Sequence, residues 1–252
     1  MPFVCTRFRI FDQYLASNDP ERFCEYTRLI PWEFEDLYES IAPELHYMGT
    51  HAAPISGRHR HVGFGSSSVA LAQEVCCGRK TVSDIVEEVA LAIIKVLSSD
   101  AFPTPTREMF EECASKTRAR YDYPRAEGFL DGKHVRIKKP EHSGSTYWNY
   151  QNFFSIILLA VCDVDYRIIA YDVGAPGRAG DAGVFRDSSI KRFLDENDDL
   201  FPETRTLGNV GPVQFHVLVS GGFGQAHRYV RPYTQAEADN GSKRRFNTKH
   251  SR

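Results

Sequence analysis

The sequence predicts an α/β protein, with a helical region over residues 1–117 followed by a mixed-sheet domain over 118–252. Three observations carry this. Apolar residues in the N-terminal region recur at helical spacing, as in Ile85, Val89, Ala92, Ile93 and Val96. From Phe129 to Phe185 the pattern changes to three strand-like runs separated by turn residues, which reads as an antiparallel meander. A short apolar run, Gln214–Val219, then ends at Ser220-Gly221-Gly222-Phe223 and adds a further strand. The length of 252 residues gives ample core for one large domain or two small ones.

Taken in order, Pro31-Trp32-Glu33-Phe34 with Leu37, Tyr38 and Ile41 predicts a helix bounded by Pro31 in its first turn and Pro43 beyond its end. His51–Gly65 has no period of either kind and reads as a loop. Ser68–Val75 and Thr81–Leu97 are the next two helices, separated by Cys-Cys-Gly-Arg. Thr81-Val82-Ser83-Asp84 has the spacing of a capping box for the second of them. Phe102-Pro-Thr-Pro ends that helix, and Thr106–Arg118 makes one more before Tyr121-Asp-Tyr-Pro124.

In the meander, Asp131 sits in a Leu-Asp-Gly-Lys-His turn ahead of the alternating strand His134–Lys139. Phe153–Asp163 is a long apolar second strand, and Arg167–Val173 a third that ends at Gly-Ala-Pro-Gly. Asp181–Asp195 follows as a helix, then an acidic loop and the strand Gln214–Val219. The tail Asn240–Arg252 is polar and basic with no apolar period.

Composition narrows the class. Apolar content of 42% and charged content of 25% are ordinary for a globular chain. The net charge of −2 gives no overall pull toward nucleic acid, so any such contact must come from local patches. Arg58–His61, Arg79-Lys80, Lys133–Lys139 and Lys243–Arg252 are basic clusters, each equally readable as a solvated face. The six cysteines form no CxxC pair, which argues against zinc and against a disulfide framework. The N-terminus lacks the apolar stretch of a signal peptide, and nothing reaches the length of a membrane span. A reducing compartment, cytosol or nucleus, is expected, with no membrane association and no small-molecule cofactor.

Ala70–Val86 has the form of a helix–turn–helix within a unit spanning about 68–97: small residues where helices would cross, Gly78 in the turn, polar and basic residues at the start of the second helix. Arg79, Lys80, Thr81 and Ser83 would there meet phosphates and base edges. Two packed helices joined by a tight turn explain the same residues.

The phrases DGKHVRIKKP, SGSTYWNYQNFFSIILLAVCD and YDVGAPGRAGDAGVFRDSS, in this order and spacing, resemble the catalytic domain of PIF/Harbinger-type DDE transposases and their HARBI-like, domesticated nuclease relatives. The resemblance implies a ribonuclease-H-like mixed sheet, incomplete at its C-terminus, preceded by a helix–turn–helix region. It also implies DNA as partner, a Myb-like accessory protein, nuclear residence, and Mg²⁺ or Mn²⁺ as cofactor where the enzyme is active. Such chemistry uses three carboxylates to hold two metals that activate a nucleophile and stabilise the leaving oxygen.

Asp131 matches the first acid of that family, although an Asp before Gly is also a common turn residue. Lys133, His134 and Arg136 beside it would line the DNA backbone, or equally be solvated strand residues. The second-acid position, counted back from Phe223 and Arg231-Pro232-Tyr233, is occupied by Ser220, a poor Mg²⁺ ligand. The third acid is expected beyond Ser251-Arg252, so either this copy is inactive or the sequence is truncated, with Ser220 a lesion in both cases. Asp163 and Asp165 read as turn residues, Asp172 as the end of a strand, and Asp181 as the N-cap of the next helix. GAPGRAGD reads either as a phosphate cradle or as a glycine turn capping that helix. Three functions remain open: a metal-dependent endonuclease with a damaged site, a non-catalytic DNA- or protein-binding remnant, and a decayed transposon copy.

Overall fold

The computed structural model describes residues 12–13, 16–17, 19–45, 72 and 77–251. The chain divides into two compact units, Met1–Ala101 and Phe102–Arg252.

In the first unit, helix α1 (Pro20–Thr27) starts at Asp19, whose carboxylate accepts the Arg22 N–H at 3.1 Å. Helix α2 (Pro31–Ile41) has Pro31 in its first turn, as the sequence predicts, and the Glu33 carboxylate accepts the Ile30 N–H. The Phe23 and Phe34 rings meet edge to face at 5.6 Å. Helix α3 (Arg79–Ala101) is longer than expected at both ends. Its Val89 and Ala92 pack with Ile41 of α2 in a small core. The expected capping box at Thr81–Asp84 does not form, because the helix already begins at Arg79. Asp84 pairs instead with Lys80 one turn earlier. Ser68–Val75 lies outside the described residues except for Ala72, which packs with Val82 and accepts the Cys77 N–H across the turn. The loop His51–Gly65 also lies outside them.

The second unit opens with α4 (Arg107–Tyr121), whose first turn is capped by Thr106. This helix packs on the first strand and so belongs with the sheet. The strands are β1 (Ala126–Arg136), β2 (Ser155–Cys162) and β3 (Ile168–Pro176). Helices α5 (Asp181–Arg186) and α6 (Ser189–Glu196) follow. Next come a two-stranded ribbon, β4 (Arg205–Thr206) with β5 (Pro212–Val213), then β6 (His216–Val219), β7 (Tyr229–Val230) and α7 (Gly241–His250). The main sheet runs β3-β2-β1-β6-β7. β1 and β2 and β2 and β3 are antiparallel; β1 and β6, and β6 and β7, are parallel. This is the expected mixed sheet of the ribonuclease-H-like kind, with the meander on one side of β1 and the later strands on the other.

Sequence expectations for this unit change at several points. Asp131 is not in a turn but in the middle of β1, where Asp131 pairs with Ala160. The single helix expected over Asp181–Asp195 is broken at Asp187-Ser188, where Ser188 caps α6 by accepting the Lys191 N–H. The second and third meander strands follow the expected runs, but the first, expected at His134–Lys139, spans Ala126–Arg136; β2 alternates strictly between buried and half-buried residues, its buried side chains all on one face of the sheet.

That face carries the core. Phe110 of α4 stacks on Phe201 at 5.4 Å, and both pack with Leu130, Ile157, Leu159, Val217, Val219 and Phe223. Each such side chain, fully buried, contributes about 1.5–3 kcal/mol. Among the described residues no helix is long and apolar enough to cross a membrane.

Candidate functional site

Strand register brings the first site together. β1 pairs in parallel with β6, with Leu130 opposite Val219. One residue further along each strand stand Asp131 and Ser220, so the C-terminal end of β6 delivers Ser220 beside the exposed carboxylate of Asp131.

A third group arrives from a different element. Asp181 is the first residue of α5, and the N-cap is Gly180, not Asp181 as the sequence suggested. Its carboxylate lies over Gly132, where an added Cβ would sit 2.7 Å from Asp181 Oδ1. A Cβ on Gly222 would lie 3.5 Å from Asp181 Oδ2 and 3.9 Å from Ser220 Oγ. Two glycines, one on β1 and one in the turn after β6, thus leave the space in which this carboxylate sits. Burial pushes the Asp181 pKa above the usual carboxylate range, the charge of Asp131 adds to the rise, and His134 partly offsets it. Asp131, Asp181, His134 and Ser220 therefore form one polar group at the end of the β1–β6 ladder.

His134 is held from behind. Its Nδ1 lies 2.9 Å from Ser155 Oγ, which also accepts from Asn149 Nδ2 at 3.0 Å. Ser155 is buried against Gly177, whose backbone approaches so closely that a Cβ there would meet Ser155 Oγ at 2.1 Å. The second glycine of GAPG is thus required by backbone packing, and its N–H is spent on Ser155 O at 2.8 Å.

The other acids are engaged elsewhere. Asp163 holds Arg167 in the β2–β3 turn, and Asp165 pairs with Lys116 and Arg120 of α4. Asp172 accepts both the backbone N–H and the hydroxyl of Ser189, at 2.7 and 2.9 Å, at the start of α6. Lys133 is exposed on the strand face that carries Asp131, and the Arg136 guanidinium lies over the Phe153 ring at 4.1 Å. In the first unit Arg79, Lys80 and Ser83 are exposed on the first turn of α3, with Thr81 half-buried. They belong to the other compact unit.

A two-metal centre needs three carboxylates or their equivalents around two divalent ions. Among the described residues no group of three or more His, Cys, Asp or Glu side chains is placed to hold a metal ion. Two carboxylates and a neutral hydroxyl do not fit a two-metal centre, because Mg²⁺ requires hard, charge-balancing oxygen ligands. Sequence reasoning placed Asp131 and Ser220 but missed the approach of Asp181. The signal for it was the pair of glycines, Gly132 and Gly222, next to the two candidate positions.

Residues 130–252 match a protein family described as DDE superfamily endonuclease. The chain is also similar to a protein from Arabidopsis thaliana described as "Protein ALP1-like". The two are 25% identical over 255 residues, covering 94% of this chain and 61% of the relative. The chain thus spans about three fifths of that relative's length. No solved structure matches.

Proposed function

We propose that this is a transposase-derived protein that holds DNA without cutting it, in keeping with the match of residues 130–252 to the DDE superfamily endonuclease family. The observation that carries the reading is Ser220 at the end of β6 beside Asp131, where two-metal chemistry needs a second carboxylate. A hydroxyl supplies no charge to a divalent ion, and Asp181, its proton held more tightly than usual, is a weakened substitute. Lys133 on the Asp131 face would take phosphate contacts, as would Arg136 at the end of the strand.

The helix–turn–helix reading is part of the same proposal. Arg79, Lys80 and Ser83, exposed at the start of α3, would contact DNA there, with Thr81 at the turn. Nuclear residence, a Myb-like accessory protein and a Harbinger-type origin also belong to it and rest on the resemblance of the motifs.

Plasmid nicking by the purified chain with Mg²⁺ or Mn²⁺, beside Asp131→Asn, tests the proposal together with a gel-shift measurement. The expected result is DNA binding without nicking. Metal-dependent nicking that disappears in Asp131→Asn would show that the site cuts without a carboxylate at Ser220, and would replace this reading with that of an active endonuclease.

A further inference from the structure

The thirteen residues or so between Pro140 and Phe154 join β1 to β2 by an excursion that no part of the nuclease chemistry uses, yet it is tightly built. Asn149 is buried, and its side-chain oxygen accepts the N–H groups of Gln151 and Phe153 at 2.9 and 3.2 Å. Its own N–H donates to Phe153 O and the Asn152 N–H to Asn149 O, closing a tight turn with Asn152 at φ 62°. Trp148 bridges to Phe154, their rings crossing at 4.9 Å. The turn is therefore stiff, and what it presents is aromatic: Tyr150 is 79% exposed and Trp148 41% exposed.

Rigid, solvent-facing aromatic rings cost apolar exposure unless something stacks on them. The charges around them indicate what that is. Lys133, Arg136, Lys138 and Lys139 are exposed along the strand leading into the excursion, with no acidic residue among positions 132–140. None of the four forms an ion pair with a described residue; Arg136 and Lys139 instead lie over the rings of Phe153 and Phe154. The Tyr150 ring stands edge-on to His134 at 5.5 Å, which places the aromatic tip next to the Asp131 group.

Resting on the DNA-holding reading above, we propose that the 140–154 excursion is a stacking wedge for an unpaired DNA base. Tyr150 stacks on a base taken out of the duplex. The basic strand holds the flanking phosphates, so that the distorted step lies against Asp131 and His134. Aromatic stacking on a single base typically changes affinity by tenfold or more, and it is indifferent to base identity. Matched duplex offers no free base face and must first be unstacked, whereas a bubble or single strand presents one at no such cost.

The test is fluorescence anisotropy of the full chain on a matched duplex, on the same duplex with a central mismatch bubble, and on the single strand. 2-Aminopurine placed in the bubble reports stacking directly. Wild type and Tyr150→Phe are expected to prefer the bubble and single strand by about tenfold and to quench the 2-aminopurine. Tyr150→Ala is expected to lose both while keeping its affinity for matched duplex; Tyr150 is so exposed that its melting temperature should be unchanged. A preference that survives Tyr150→Ala overturns the wedge. Equal binding to all three DNAs overturns it while leaving the DNA-holding reading in place. No binding to any DNA ends that reading and the wedge with it. Tighter binding of single-stranded RNA of the same sequence would assign the surface to RNA instead.

Discussion

Asp181 lies directly over Gly132: an added Cβ on that glycine would stand 2.7 Å from Asp181 Oδ1. A helix that begins after β3 thus sends its first side chain back onto β1, one residue from Asp131, and burial together with the Asp131 charge makes Asp181 hold its proton more tightly than a free carboxyl. The folded state therefore binds this proton more strongly than the unfolded chain. The resulting stability is fully present below the ordinary carboxylate range and is lost as pH rises through the raised pKa. Asp181→Asn keeps the shape and removes that loss. The variant is expected to be more stable than wild type at neutral pH by under about 1 kcal/mol, since the site is partly screened by water. Urea titrations at neutral and acid pH, with the difference shrinking in acid, check this.

Ser220→Asp would place a third carboxylate beside Asp131 and Asp181. Without metal, three close negative charges should lower stability by roughly 1 kcal/mol or more. With Mn²⁺ the loss should reverse, because an ion that binds only the folded state stabilises it by mass action. Thermal melts with and without Mn²⁺ should show a metal-dependent rise in Ser220→Asp that is small or missing in wild type. Equal rises in both proteins would mean that Asp131 and Asp181 already hold the ion.

Glu127 on β1 is fully buried, and neither carboxylate oxygen has a partner among the described residues. Burial raises its pKa to about 8, with Arg228 offsetting part of the rise. The contribution of Glu127 to stability is therefore largest at acid pH, where it is protonated in both states, and falls as pH rises from the unfolded value toward 8. Glu127→Leu, of similar volume, should flatten this dependence and be more stable than wild type at pH above 8 by roughly 2–4 kcal/mol. Urea midpoints across that pH range decide it; parallel curves for the two proteins would show that water reaches the carboxylate.

Asp172 closes the first turn of α6 from outside that helix, accepting the Ser189 N–H and hydroxyl. Asp172→Ala leaves the N–H without that partner and should cost about 1 kcal/mol. A lower urea midpoint with unchanged slope is the expected signature.

Much of the fold was legible in the sequence because its signals are local. Pro31, Thr106 and the apolar stripe of α3 mark helices by steric and capping rules that need no partner. The second and third strands of the meander follow from apolar runs of strand length, whereas the first, read from the alternating run His134–Lys139, begins earlier at Ala126. The misreadings share a cause. Asp131-Gly132 carries the local signature of a turn, but the glycine is present to leave room for Asp181, a requirement imposed across the fold. Thr81–Asp84 satisfies the spacing of a capping box, yet α3 begins earlier and Asp84 pairs with Lys80 instead. Ser220 could be placed from neighbouring motif residues, whereas Asp181 carried the local signature of a helix N-cap, and its meeting with β1 is set by how α5 packs.

The sheet order also fixes when this site can exist during folding. β1, β2 and β3 are consecutive and antiparallel, so they can zip together while the later chain is still unstructured. β6, only four residues long, joins β1 from about ninety residues downstream, a contact that must overcome a long loop closure. Until it docks, one edge of β1 is bare and Asp131 has no neighbour at the position of Ser220. A substitution that weakens β6, such as Val217→Ala at its buried centre, would thus act first as a kinetic lesion. It would lengthen the interval in which an unpaired β1 edge is open to other chains, and cells would register it as aggregation before any loss of binding.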